Sequence, residues 1–110
     1  MQIMKTIFDE IQIKDITMKN RVVAASVGRN LAERDGRISE ELYEIYRELA
    51  QGGAGLIFSE MTMVSDADYQ MPGFTRLQDD SVIDDYKKLT DIIHQEGIPI
   101  IAQLAFGAFH

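Results

Sequence analysis

Residues 39–58 read SEELYEIYRELAQGGAGLIF, and this stretch decides the fold. Ser39 offers a hydroxyl that can accept from the first free amides of a helix, and Glu40 and Glu41 place negative charge where the helix dipole favours it. Leu42, Ile45, Tyr46, Leu49 and Ala50 recur at i, i+3, i+4, i+7 and i+8, one apolar stripe. Gly52-Gly53 ends the helix, because glycine accepts the left-handed conformation of a C-terminal cap. Gly55-Leu56-Ile57-Phe58 follows at once as a continuous apolar run, the pattern of a strand covered on both faces. A helix delivered directly into such a strand points to an α/β chain.

Upstream, Arg21-Val22-Val23-Ala24-Ala25-Ser26-Val27 predicts an earlier strand buried on both faces, and the polar stretch 28–36, with its Asp35-Gly36 turn signal, predicts a loop. Before it, Ile11 and Ile13, then Ile16 and Met18, alternate on either side of Lys14-Asp15, which predicts a short β-hairpin. Downstream, 65–78 is loop-like and carries a Pro72-Gly73 turn. Ser81 or Asp80 caps a second helix, whose stripe is Val82, Tyr86, Leu89 and Ile93, widened by Ile83 and Ile92. Gly97 ends that helix, and Pro99 begins a third buried run, Ile100-Ile101-Ala102-Gln103-Leu104.

The order is hairpin, strand, helix, strand, helix, strand. Helical crossovers of this length imply right-handed connections and a parallel sheet. Of the two architectures that begin this way, a dinucleotide-binding half needs a glycine-rich turn straight after its first strand. Here Gly28 stands alone, followed by Arg29-Asn30, and the loop is long. The expectation is therefore the N-terminal part of a (β/α)8 barrel, about three parallel strands and two helices in one incomplete domain over 1–110. In such barrels chemistry sits at the C-terminal strand ends, here Ala25-Ser26-Val27, Glu60-Met61-Thr62 and Gln103-Leu104.

Composition narrows the function. The chain has 110 residues, 45% apolar and 26% charged, with 11 basic residues against 18 acidic ones and a net charge of −7. That balance argues against nucleic-acid binding, which needs cations to displace phosphate counterions. No run approaches the roughly 20 apolar residues of a membrane span, and Met1 to Glu10 lacks the basic-then-apolar pattern of a secretory leader. The absence of cysteine excludes disulfides, thiolate metal sites and a cysteine nucleophile, and fits a cytoplasmic setting.

Other candidates read as structural. Glu60 with Asp66 and Asp68 invites a metal or acid–base role, but a solvated or hydrogen-bonded acidic rim accounts for them. His94 sits near a helix C-terminus, where a positive charge suits the dipole. Arg29, Arg34 and Arg37 form the densest positive cluster, expected to be a solvated loop. Met1, Met4, Met18, Met61, Met63 and Met71 read as packing.

The ordered series Lys19-Asn20-Arg21-Val22-Val23, Asp35-Gly36-Arg37, Gly52-Gly53-Ala54-Gly55-Leu56-Ile57, Leu89-Thr90-Asp91 and Gln103-Leu104 resembles the start of the Old Yellow Enzyme family. The resemblance runs over nearly the whole chain. It implies an FMN-dependent NAD(P)H:flavin oxidoreductase or ene-reductase on a (β/α)8 barrel, with NADH or NADPH as reductant and an electron-poor small molecule, such as an enone, as substrate. It implies that Ala25, Ser26 and Val27 pack against the flavin, that Met61 approaches its ring, and that Gln103 hydrogen-bonds its pyrimidine. Independently, an amide in an apolar strand offers both a donor and an acceptor that must find partners. The family often carries a histidine three residues after this glutamine, where Phe106 stands here, and an alanine where Met61 stands.

The substrate-anchoring and proton-donating residues of that family come from later strands, so no catalytic residue is assigned and this segment alone is expected to be inactive. The alternative is a non-catalytic half-barrel that self-associates through its open strand edges.

Overall fold

The computed structural model describes residues 5–65 and 73–106. Strands β1 (Ile11–Ile13) and β2 (Ile16–Met18) form the antiparallel hairpin, with Ile11 opposite Met18 and Ile13 opposite Ile16. The turn is closed by Lys14 at φ 52, a left-handed residue in place of the usual Asn-Gly pair. Next come β3 (Val23–Ala24), α1 (Glu40–Gln51), β4 (Leu56–Met63), a 3-10 turn (Asp80–Val82), α2 (Ile83–His94) and β5 (Ile100–Ala105). The order across the second sheet is β3-β4-β5, parallel throughout, as the element order predicts.

Both helices lie on one face of this sheet. Leu42, Tyr46 and Ala50 of α1, Leu89, Ile92 and Ile93 of α2, and Ile57 of β4 form a single core with Ile38, Tyr43, Ala54 and Ile98. Ser39 caps α1 as expected, its hydroxyl accepting from the Leu42 amide at 3.2 Å. The C-terminal turn uses only one of its two glycines: Gly52 keeps a helical φ of −75, and Gly53, at φ 105, makes the left-handed step. His94 stands in the last turn of α2, and among the described residues no helix is long and apolar enough to cross a membrane.

Several expectations need correction. β3 is two residues long, not seven, and Val22 and Val23 are 41% and 44% exposed rather than covered on both faces. The Asn20 side chain takes up the backbone there: its Nδ2 donates to the Gly53 carbonyl at 2.6 Å and its Oδ1 accepts from the Val22 amide at 2.9 Å. Gly55 is required beside it, since a Cβ would lie 2.6 Å from the Asn20 carbonyl oxygen.

β4 runs on through Met63, because its polar residues Ser59, Glu60 and Thr62 are buried with hydrogen bonds instead of ending the strand. The turn before α2 is capped by Asp79, whose carboxylate accepts from the Ser81 amide at 2.8 Å. Ile83 is 58% exposed and widens no buried stripe. β5 is only partly covered: Ile100, Ile101 and Ala105 are half-buried, and Ala102, Gln103 and Leu104 are exposed, where no strand lies beyond β5 among the described residues.

Of the methionines, Met18 and Met63 are buried and Met61 is half-buried, whereas Met1, Met4 and Met71 lie outside the described residues. The arginine cluster is not simply solvated. Arg37 makes a bidentate pair with Asp85 of α2, at 3.0 Å through Nε and 2.7 Å through Nη2.

Candidate functional site

The face of each strand follows from the register. Ala24, Ile57 and Ile100 are successive partners across β3, β4 and β5, and all three pack into the helix-side core. Side chains alternate along a strand, so Ile101 and Gln103 of β5 point to the opposite face, as does Phe58 beside Ile101. In a closed barrel that face is the interior.

Simple alternation would then turn Met61, three residues beyond Phe58, back toward the helices. It does not, because the ladder slips. Phe58 pairs with Ile101 but Met61 pairs with Gln103, so two residues of β4, Ser59 and Glu60, oppose Ala102 alone. This β-bulge brings Met61 and Gln103 side by side on the interior face at the C-terminal end of the sheet.

Gln103 is exposed, and its side-chain amide has no hydrogen-bond partner among the described residues. Both its donor and its acceptor are open to a ligand. Ala25, Ser26 and Val27 leave β3 at the same end of the sheet in non-strand conformation; Ser26 is half-buried, and Ala25 and Val27 are exposed. The five residues singled out from the sequence therefore gather at the strand ends, with Met61 and Gln103 in direct register.

Glu60 departs from the acidic rim expected of it. It is 2% exposed, its Oε2 accepts from the Arg29 amide at 3.3 Å, and its Oε1 is buried with no partner placed within hydrogen-bond distance among the described residues. Burial raises its pKa above the usual carboxylate value, and Arg29 and Thr75 oppose this only in part. Asp66 and Asp68 lie outside the described residues, and among the described residues no group of three or more His, Asp or Glu could hold a metal.

The loop after β3 is fastened across to the segment entering α2. The Ala32 amide donates to the Gly73 carbonyl and the Arg76 amide to the Gly36 carbonyl, both at 3.0 Å, and Arg76 Nη2 donates to the Arg34 carbonyl at 2.6 Å. Phe74 lies against Gly28 so closely that a Cβ there would sit 2.7 Å from the ring. A second hollow, between the starts of α1 and α2, holds charges that satisfy one another: Arg37 with Asp85, Lys88 with Glu40, and the Lys88 ammonium 4.2 Å from the Tyr43 ring centre.

Sequence reasoning found the strand ends and missed the bulge with its supports. Tyr46 read as one apolar residue in a stripe, yet its hydroxyl accepts from the Glu60 amide at 2.8 Å. The available signal was the polar pair Ser59-Glu60, set between the apolar run 56–58 and Met61.

The sequence profile of the NADH:flavin oxidoreductase / NADH oxidase family matches residues 6–110. An NADH oxidase of Thermoanaerobacter brockii is 32% identical over 102 residues, covering 89% of this chain and 15% of that protein. An NADPH dehydrogenase of Listeria monocytogenes serotype 4b is 32% identical over 103 residues, covering 93% of this chain and 30% of that protein. The crystal structure of an old yellow enzyme homologue from Zymomonas mobilis superposes with a TM-score of 0.83 at 31% identity, over 93% of this chain and 28% of that one. The chain thus spans a third or less of the length of these relatives.

Proposed function

The chain belongs to the NADH:flavin oxidoreductase / NADH oxidase family, and from that premise we propose that it forms the FMN-facing opening of a (β/α)8 barrel that reduces an electron-poor small molecule, such as an enone, at the expense of NADH or NADPH. The observation that carries this reading is the pairing of Met61 with Gln103 on the interior face, the Gln103 side-chain amide having no partner among the described residues. The edge of a flavin pyrimidine alternates carbonyl and N–H groups, which an amide can meet with one donor and one acceptor. Ala25, Ser26 and Val27 present small side chains and backbone at the same end, which suits the close approach of a flat ring.

FMN, when bound, would supply the hydride-transfer chemistry between nicotinamide and substrate. This chain's residues bind and orient: Gln103 holds the pyrimidine, Met61 packs against the ring, and the residues after β3 close one side. No catalytic residue is assigned, and the 110-residue chain by itself binds FMN weakly and turns over nothing. The absence of cysteine supports a cytoplasmic setting.

The test is a flavin fluorescence titration of the chain and of Gln103→Ala. Loss of one or two hydrogen bonds to the ring weakens binding by about tenfold. Equal affinity for the two proteins would remove Gln103 from the site, and NADH oxidation by the 110-residue chain would contradict the assignment of turnover to residues outside it.

A further inference from the structure

The bulge in β4 is closed on both sides. The slip between Phe58 and Met61 interrupts the regular β4–β5 register. There the Glu60 amide donates to the Tyr46 hydroxyl of α1 at 2.8 Å, and the Gln103 amide to the Ser59 hydroxyl at 3.2 Å. The Ser59 and Thr62 hydroxyls both donate to the Glu60 carbonyl, each at 3.0 Å. The extra residue thereby has its amide, its carbonyl and one carboxylate oxygen engaged, the last with the Arg29 amide in the loop that follows Ala25-Ser26-Val27.

The slip has a consequence for the site. Along an unbroken strand from Phe58, Glu60 would face the interior and Met61 the helices, because a one-residue shift exchanges the two faces. A carboxylate would then stand beside Gln103, opposing any ring that gains electrons. The inserted residue reverses this: Met61 turns to the interior and Glu60 is buried behind it.

We propose that the Ser59–Glu60 bulge, locked by the hydroxyls of Tyr46 and Ser59 and tied by Glu60 to the loop after β3, is the positioning element of the site. Tyr46, Ser59 and Glu60 are positioning residues: they set which side chains the strand ends show to a ligand and touch none themselves. The geometric part stands on the register and the hydrogen bonds; its bearing on FMN rests on the function proposed above.

The test combines amide hydrogen exchange with NMR contacts between Met61 and Gln103, in the 110-residue chain and its Ser59→Ala, Ser59→Thr and Tyr46→Phe variants. Ser59→Ala speeds exchange of the Gln103 amide by about tenfold, Tyr46→Phe does the same at Glu60, and both weaken the Met61–Gln103 contact. Ser59→Thr, which keeps the hydroxyl, restores the slow Gln103 exchange. Unchanged exchange at these amides overturns the proposal, as does equal acceleration at every amide of β4 and β5, which would mark general loosening. If Ser59→Ala does not fold, Tyr46→Phe and Ser59→Thr still decide. FMN titration of the same proteins separates the two readings. Local exchange effects without FMN binding to the parent chain would leave the bulge and sink the function. FMN binding with unaltered exchange in the variants would do the reverse.

Discussion

Glu60 and Asp85 are two carboxylates of one sheet-and-helix layer whose environments push them in opposite directions. Burial raises Glu60, so its neutral form is favoured in the folded chain. A raised folded-state pKa gives stability that is complete below the unfolded value, about 4.3 for glutamate, and lost as pH climbs through the folded value. The stability of Glu60→Gln relative to the parent therefore rises between pH 4 and 8, a trend that melting curves across this range check. Asp85 is the converse. The Arg37 hydrogen bond holds it below the usual aspartate value. Its contribution is present above about 3.9, the unfolded value, and disappears as pH falls through the folded one. Asp85→Asn lowers the melting temperature at pH 7, and the difference shrinks as the pH is taken below about 3.9. Neither residue could be read from the sequence: Glu60 sits in a strand end that looked like a rim, and the partner of Arg37 lies 48 residues away.

At the scale of elements, α1 was legible almost residue by residue, because cap, stripe and stop all act within a few turns. Ser39→Ala costs about 1 kcal/mol of stability in denaturant unfolding. Ile57 joins that helix to the sheet and is fully buried, so Ile57→Ala costs about 2–5 kcal/mol by the same measurement. The strands were legible in type and order but not in extent. At the start of β3 the Asn20 side chain reaches Gly53, a contact across 33 residues that no local pattern contains. β4 runs past its apolar segment because Tyr46 and Thr75 supply hydroxyls to its polar residues, Tyr46 at the Glu60 amide and Thr75 at the Thr62 side chain. Burial of β5 was expected from composition, yet composition does not reveal which neighbours are present. Among the candidate site residues, their place at strand ends was readable, whereas the face of Met61 was not, since it depends on a bulge set by α1.

Across the whole molecule, β3, β5 and the residues that follow them carry apolar side chains that the described residues leave open. Val23, Val27, Leu104 and Phe106 are 44%, 53%, 58% and 69% exposed. Patches of this kind favour association, and the outer edges of β3 and β5 have no strand partner among the described residues. The 110-residue chain is expected to run above its monomer mass in size-exclusion chromatography with light scattering. A monodisperse monomer at high concentration would count against that expectation.

The measurement that tests the proposed FMN site most directly is an NMR titration of the chain with FMN to millimolar concentration, following backbone amides, the Met61 methyl and the Gln103 side-chain amide. The account predicts that shifts concentrate at Ala25, Ser26, Val27, Met61 and Gln103, with the helix-side core around Ile57 and Ile93 unmoved. Shifts centred on the helices, or none at Gln103 and Met61 at the highest flavin concentration, would contradict it.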